Sequence, residues 1–69
     1  MLDKKQIGNR LMCCRKEKGV SREKVAFDLG ISASSLFKYE TGERTPRDEV
    51  KVALAEYYNS TVEAIFFAA

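Results

Sequence analysis

The residues best suited to chemistry lie on one side of a short segment that follows Gly30-Ile31-Ser32. At about 100° per residue, a helix there places a small residue, a hydroxyl, a ring and a cation on one face: Ala33, Ser34, Phe37 and Lys38. In the DNA major groove, Ser can donate or accept hydrogen bonds, Lys favours guanine, and apolar atoms suit the thymine methyl. Periodicity alone fits an ordinary amphipathic helix with a solvated face as well, so both interpretations stay open here.

The opposite side of the segment must hold it to the protein. Ser35, Leu36, Tyr39 and Glu40 cluster there and supply its apolar anchors. A short Gly-containing turn sets two helices at a steep angle, so that the second can enter the major groove. Ser21 is a candidate capping residue for the helix before the turn. We therefore predict a helix-turn-helix centred on residues 21–41.

Caps and helix breakers divide the chain into five short helices, and no segment alternates as a strand would, so the predicted fold class is all-α. The first helix runs over 4–18 behind a capping box of Asp3 and Gln6. The second and third run over 22–29 and 33–41 and end at glycines. The fourth starts at Thr45-Pro46, with Pro46 in its first position, and reaches about Tyr58. A capping box at Ser60-Thr61-Val62-Glu63 opens a short fifth helix through Phe67.

Length and composition exclude several classes of function. A chain of 69 residues is expected to hold a single domain over 1–69. It has no His, and its two Cys are the adjacent Cys13 and Cys14, so we predict no metal, no cofactor and two reduced thiols, at least one of them packed. The acidic residues lie mostly in first turns or at the surface and no pocket is evident, which argues against an enzyme and leaves no small-molecule ligand evident.

Charge is distributed unevenly along the chain. Residues 1–47 carry eleven Lys or Arg against six Asp or Glu, a balance of +5, and residues 48–69 carry one Lys against four acids, a balance of −3. A basic body with an acidic tail suggests one face for a polyanion, although ordinary surface charge would look the same. No apolar run approaches the ~20 residues that span a bilayer, and the start lacks a signal-peptide core, so we expect a cytoplasmic protein that does not enter membranes.

Three motifs at fixed spacing resemble those of the phage-repressor and Cro-type helix-turn-helix family, also called the XRE family. They are Arg15-x-x-Lys18-Gly19-Val20-Ser21, then Ala26-x-x-Leu29-Gly30-Ile31-Ser32, then Tyr39-Glu40-x-Gly42-x-Arg44-x-Pro46. The later Leu54-Ala55, Tyr58 and 62–66 are similar to the last two helices of the family. The resemblance covers about residues 6–67 and implies the five-helix, lambda-repressor-like DNA-binding fold.

The resemblance also implies roles for individual residues. The helix over 33–41 is similar to the recognition helix, which assigns base contacts to Ala33, Ser34, Phe37 and Lys38, with Ser32 adding a contact besides its capping role. Phosphate contacts are implied for Ser21, Arg22, Thr41 and Arg44. Arg15 and Glu40 match a paired Arg and Glu of some members. A carboxylate on the inner face needs a partner, so we expect a partly buried bidentate ion pair.

Three positions depart from the family pattern. Ala33 can offer only a methyl group to a base. Phe37 is unusual on a groove-facing surface, and it either touches a thymine methyl or turns aside to pack against the second helix. Lys51 occupies a position that is usually apolar, so its stem should lie along the core while its amine reaches water.

The favoured function is a transcriptional regulator, such as a repressor, that binds double-stranded DNA as a homodimer on a palindromic operator. The dimer surface is predicted at the fifth helix and its neighbours, with Tyr57, Val62, Phe66 and Phe67 as candidates, unless these side chains only plug the core. The alternative is a protein-interaction module of the same fold, an antitoxin or anti-repressor, that binds a partner through the acidic, aromatic tail. Cations at Arg22, Lys38 and Arg44 favour DNA, since partner binding does not need them.

Overall fold

A computed structural model describes residues 2–68, which form four α-helices and a C-terminal π-helix. Their bounds are α1 (Lys4–Lys18), α2 (Arg22–Leu29), α3 (Ala33–Thr41), α4 (Asp48–Tyr57) and the π-helix (Glu63–Phe67). The predicted all-α class is confirmed, and α1, α2 and α3 have the predicted bounds. Within residues 2–68, no helix has both the length and the apolar character that crossing a membrane requires.

Side-chain caps begin the first three helices. Asp3 and Gln6 form the predicted capping box, with the Gln6 N–H 2.8 Å from Asp3 Oδ1 and the Asp3 N–H 3.0 Å from Gln6 Oε1. Ser21 and Ser32 each accept a hydrogen bond from the N–H three residues on, at 3.0 Å. Gly30 ends α2 in the left-handed conformation, with φ 70°. These local signals fix where the turn between α2 and α3 lies.

The start predicted for α4 is wrong by two residues. The helix begins at Asp48, and Arg47 is its N-cap in an extended conformation, without a capping side-chain hydrogen bond. Thr45 precedes a proline, which biases it away from the helical region, and Pro46 is buried ahead of the helix instead of forming its first turn. Asp48 and Glu49 then occupy the first turn, where carboxylates interact favourably with the helix dipole.

The last helix also differs from the expectation. Thr61, not Ser60, provides the cap, because its Oγ1 accepts a hydrogen bond from the Ala64 N–H at 3.0 Å. The Ala68 N–H donates to the Glu63 carbonyl at 2.7 Å, an i to i−5 bond that defines a π-helix. This segment buries Ile65 and Phe66 side by side in the core.

The core joins all five elements. Four fully buried side chains, one from each α-helix, lie at its centre: Leu11, Val25, Leu36 and Leu54. Ile7 and Ala55 belong to the same cluster and Leu29 packs against it, so α1, α2 and α4 each turn an apolar face toward it. Arg10 of α1 donates to the Ala64 carbonyl and so ties the π-helix to α1. The closest helix contact is between α1 and α3, where Gly8 is buried against the backbone of Tyr39 and Glu40.

Two adjacent tyrosines at the end of α4 differ in hydrogen bonding; Tyr57 is the last residue of the helix and Tyr58 is its C-cap. The Tyr57 hydroxyl donates to Asp28 Oδ2 at 2.7 Å. The Tyr58 hydroxyl is buried, and it has no hydrogen-bond partner among the described residues. Burial first, and then the negative charge of Glu40, raise the pKa of Tyr58.

We therefore expect Tyr58→Phe to stabilise the fold by about 1 kcal/mol at neutral pH, because a buried hydroxyl without a partner costs free energy. Because the pKa of Tyr58 is raised in the fold, the unfolded chain ionises this phenol more readily than the folded protein does. The free energy of unfolding of the wild type should therefore fall as the pH rises above the ordinary pKa of about 10. The variant should therefore also lose less stability above pH 10. Tyr57→Phe is the matched control and should not stabilise, since it removes a made hydrogen bond. Urea unfolding of both variants measures this, and equal effects would contradict it.

Candidate nucleic-acid interface

Helix α3 has one buried face and one outward face. Leu36, Tyr39 and Glu40 are buried against the rest of the protein. On the other side Ser34 is exposed, Phe37 is 48% exposed, and Ala33 and Lys38 are partly exposed. The four residues predicted to face the groove therefore share one accessible surface, which we call the outward face of α3.

A buried ion pair orients α3 from its inner side. Arg15 Nε lies 2.7 Å from Glu40 Oε2, and Arg15 Nη2 lies 3.2 Å from Oε1, so the expected bidentate pair is present. The Glu40 side chain is fully buried, and that of Arg15 is 13% exposed. Arg15 Nη1 also donates to the Val20 carbonyl. The hydrogen bond to Glu40 raises the pKa of Arg15 above its ordinary value, so the guanidinium stays charged.

Arg22 is a third member of this network, which the sequence did not indicate. Its Nε lies 3.1 Å from Glu40 Oε1, and its guanidinium carbon lies 5.1 Å from the centre of the Phe37 ring. The Phe37 ring contacts α2 through Arg22, as one of the two alternatives predicts. It also remains about half exposed, so the outward orientation of the other alternative is partly kept. No sequence signal reports this contact, since the start of α2 and the middle of α3 meet only in the fold.

The predicted phosphate-contacting residues belong to the start of α2 and to the end of α3 with the loop that follows it. Ser21 caps α2, and the first two N–H groups of that helix, at Arg22 and Glu23, donate to no atom of the described residues. Thr41, the last residue of α3, and Arg44 in the loop after it are exposed. The Thr41 hydroxyl donates to the Lys38 carbonyl at 3.3 Å. Donors are therefore available at the start of α2 and in the segment from Thr41 to Arg44.

Sequence reasoning missed Arg47. It was placed inside α4, but it precedes the helix and its side chain is 81% exposed. Together with Arg44 it lines an open groove of about 380 Å³ beside the start of α3, whose wall is formed by Ile31, Ser32, Ser35, Tyr39, Arg44, Thr45, Arg47 and Val50. Two cations and four hydroxyl-bearing side chains make this groove suited to an anion. Predicting the start of α4 at Asp48 would have placed Arg47 in the loop before the helix, next to Arg44.

Ser32 acts as the cap of α3. Its Oγ accepts a hydrogen bond from the Ser35 N–H and donates to Ser35 Oγ at 2.9 Å. Both functions of the hydroxyl are therefore used within the protein, and a base contact by Ser32 stays a prediction.

The four candidates for a dimer surface separate into different environments. Phe66 is buried in the core, so its assignment to a free surface is wrong, because the π-helix turns that ring inward. Val62 is partly buried against the core, and Tyr57 is partly buried with its hydroxyl on Asp28. That hydrogen bond, followed by the one from Lys24, lowers the pKa of Asp28. Phe67 is 44% exposed.

Most of the Lys51 side chain is buried, with 17% of it exposed. Nζ lies 5.3 Å from the centre of the Phe67 ring and 5.8 Å from that of Phe66. It also lies 3.7 Å from Oδ1 of Asp48, whose side chain is 98% exposed. The stem therefore packs against the protein, while the amine interacts with two rings and a surface carboxylate.

Both cysteines are free thiols, with Cys13 exposed and Cys14 packed against the core. Burial, and secondly the charge of Glu17, raise the pKa of Cys14, so this thiol stays protonated and unreactive at neutral pH. Among the residues described, no three potential metal-binding side chains come together.

Comparison with known families agrees with this geometry. A family model described as helix-turn-helix matches residues 14–65, which covers most of the chain and includes both helices of the predicted motif. Searches among curated proteins and among solved structures found no significant match.

Proposed function

Because the chain belongs to the XRE-type helix-turn-helix family of DNA-binding regulators, we propose that residues 1–69 act as one domain that reads duplex DNA with α3 in the major groove. We further propose that two copies bind a palindromic operator and that the bound dimer represses transcription. Helix-turn-helix dimers gain specificity in this way, because each copy reads one half-site.

The arrangement of donors around the outward face of α3 carries this proposal. Arg22, at the start of α2 beside its free N–H groups, contacts Phe37 of this face, and Arg44 and Arg47 line the groove beside the start of α3. Phosphates flank the major groove on both edges, so a helix lying in the groove needs backbone contacts on both sides. Ion pairing of Glu40 with Arg15 fixes the rotation of α3 between them.

Base readout by this face is expected to be sparse. Ala33 offers a methyl group, Phe37 offers an aromatic edge, and only Ser34 and Lys38 can form hydrogen bonds to bases. Phosphate contacts should therefore supply most of the affinity, and Lys38 most of the discrimination.

Two substitutions separate these roles. Arg44→Ala should weaken binding to all duplexes alike and make the salt dependence shallower by about 1 in the log–log slope, since one phosphate contact is lost.

Lys38→Ala should relax the preference at one base pair, at a cost of about 1–3 kcal/mol on the operator only. Fluorescence anisotropy on operator and scrambled duplexes measures both. An equal loss from Lys38→Ala on the two duplexes would refute its readout role.

Selection of bound duplexes from a random pool, run at two salt concentrations, tests the proposal as a whole. We expect an enriched palindrome whose half-sites lie about 10 bp apart, because two copies then occupy the same side of the duplex. Enrichment of a single half-site would contradict the homodimer, and the absence of any enriched sequence would contradict sequence-specific binding.

We place the dimer surface at Phe67 with the neighbouring Tyr57 and Val62. Of the candidates, Phe67 exposes the largest apolar surface, and burying it in a partner would remove that surface from water. If the selected operator is a palindrome, Phe67→Ser should reduce the cooperativity of its binding and leave binding to an isolated half-site unchanged.

A further inference from the structure

Phe37 is the residue of the outward face that the family pattern does not explain. It is half exposed on a face otherwise made of small or hydrogen-bonding side chains and one cation. Its ring lies near Arg22, a predicted phosphate-contacting residue, whose guanidinium carbon is 5.1 Å from the centre of the ring. A guanidinium within about 6 Å of the centre of an aromatic ring is attracted by the ring.

Arg22 is held from a second direction by the buried carboxylate. Its Nε donates to Glu40 Oε1 at 3.1 Å. Glu40 itself cannot turn away, since Arg15 binds both of its oxygens. Glu40 therefore holds one edge of the Arg22 guanidinium, and the Phe37 ring lies close to it; both groups belong to α3.

The remaining edge of Arg22 is available to a ligand. Its Nη1 and Nη2 donate to no atom of the described residues, and the side chain is 28% exposed. It lies at the first residue of α2, beside the unpaired N–H groups of Arg22 and Glu23. A guanidinium edge next to free backbone N–H groups presents several donors to a single phosphate oxygen cluster.

We propose that Phe37 is a positioning residue for the DNA backbone contact and not a reader of bases. The ring holds the Arg22 guanidinium so that its free edge meets a phosphate of duplex DNA while Nε stays on Glu40. This inference rests on the proposed DNA-binding function. Its consequence is that the recognition helix contributes to phosphate binding through α2, and that Phe37 affects affinity on every sequence alike.

The test compares substitutions that keep or remove the aromatic face. Phe37→Leu keeps an apolar side chain without the ring, and we expect it to weaken binding about two- to fivefold, the range of an exposed cation–aromatic contact. The loss should be the same on a selected duplex and on its scrambled counterpart, with a shallower dependence on salt between about 50 and 200 mM. Phe37→Tyr keeps the ring and should restore both the affinity and the salt slope.

A double-mutant comparison isolates the route through Arg22. In an Arg22→Gln background, Phe37→Leu should cause little additional loss, because the group that the ring positions is gone. Ser34→Ala is the matched control on the same face, since no contact with Arg22 joins it to the network, and it should reduce affinity for the selected duplex only. Thermal unfolding checks that the variants stay folded, as expected for a half-exposed position.

Specific results would overturn the inference. If Phe37→Leu weakened only the selected duplex and relaxed one A·T position, the ring would be a base reader. If its effect were as large in the Arg22→Gln background as in the wild type, Arg22 would not transmit it. If the wild-type protein bound neither duplex, the proposed function itself would fail, so the two failures are distinguishable.

Discussion

Gly8→Ala is expected to destabilise the fold by about 3 kcal/mol, at the upper end of the usual cost of overpacking. A Cβ at this position would lie 2.4 Å from the Glu40 carbonyl oxygen and 2.8 Å from both the Glu40 carbonyl carbon and the Tyr39 oxygen. All three are backbone atoms of α3, so no side chain can move aside to relieve the contact. The helices would have to separate, which would open the core beneath them.

The direction of this effect distinguishes packing from helix propensity. In the interior of an unconstrained helix, replacing Gly with Ala stabilises by about 0.5–1 kcal/mol, so the structure predicts the opposite sign from the sequence. Asn9→Ala, at the next and exposed position of α1, is the matched control and should be neutral or slightly stabilising. Urea unfolding measures both variants. A Gly8→Ala protein at least as stable as the wild type would show that α1 and α3 do not approach this closely.

Glu40→Gln is expected to cost about 3 kcal/mol of stability, because removing one partner of a buried ion pair leaves the other charge unpaired. Two guanidinium groups depend on this carboxylate, and Arg15 is mostly buried. The amide can accept hydrogen bonds but carries no charge, so it cannot compensate both cations. Affinity for DNA should fall as well, since Arg22 loses its anchor.

Two further variants show whether charge at this site is the cause. Glu43→Gln, on an exposed carboxylate three residues later, is the control and should change stability little. The double variant Arg15→Met with Glu40→Leu replaces both partners by apolar residues. It should recover much of the lost stability, because the attraction within a buried ion pair is largely offset by the cost of desolvating both charges. Unchanged stability and unchanged DNA affinity in Glu40→Gln would contradict the role of the pair in orienting α3.

Local signals in the sequence were sufficient for the first three helices. Ser21, Ser32 and the capping box of Asp3 and Gln6 determine helix starts through hydrogen bonds within three residues, so they can be recognised without the fold. Helical periodicity likewise placed Leu36 and Tyr39 inside and Ser34 outside. The same kind of signal was inadequate for α4, because Pro46 fits a first helical turn and an extended segment before a helix alike.

Features that depend on two elements meeting were not predictable in this way. Gly8 resembles a weak point of a helix until α3 is seen to cross it. The contact between Arg22 and Phe37 joins the start of one helix to the middle of the next. The burial of Phe66 follows from a π-helical turn, whose i to i−5 hydrogen bond has no sequence signature. Helical periodicity indicates that the inner-face carboxylate of Glu40 needs a partner, but only the family resemblance identifies Arg15 as that partner.

The central claim is that α3 presents its outward face to duplex DNA while donors at the start of α2 and in the segment over 41–47 contact the DNA backbone. Titration of the ¹⁵N-labelled protein with a duplex selected from a random pool, followed by amide chemical shifts, tests it most directly. The account predicts that the largest changes occur at the start of α2, along 33–41 and in the loop over 42–47, with small changes at the exposed side of α1. Changes concentrated on the acidic segment over 56–67, or none at saturating duplex, would contradict it.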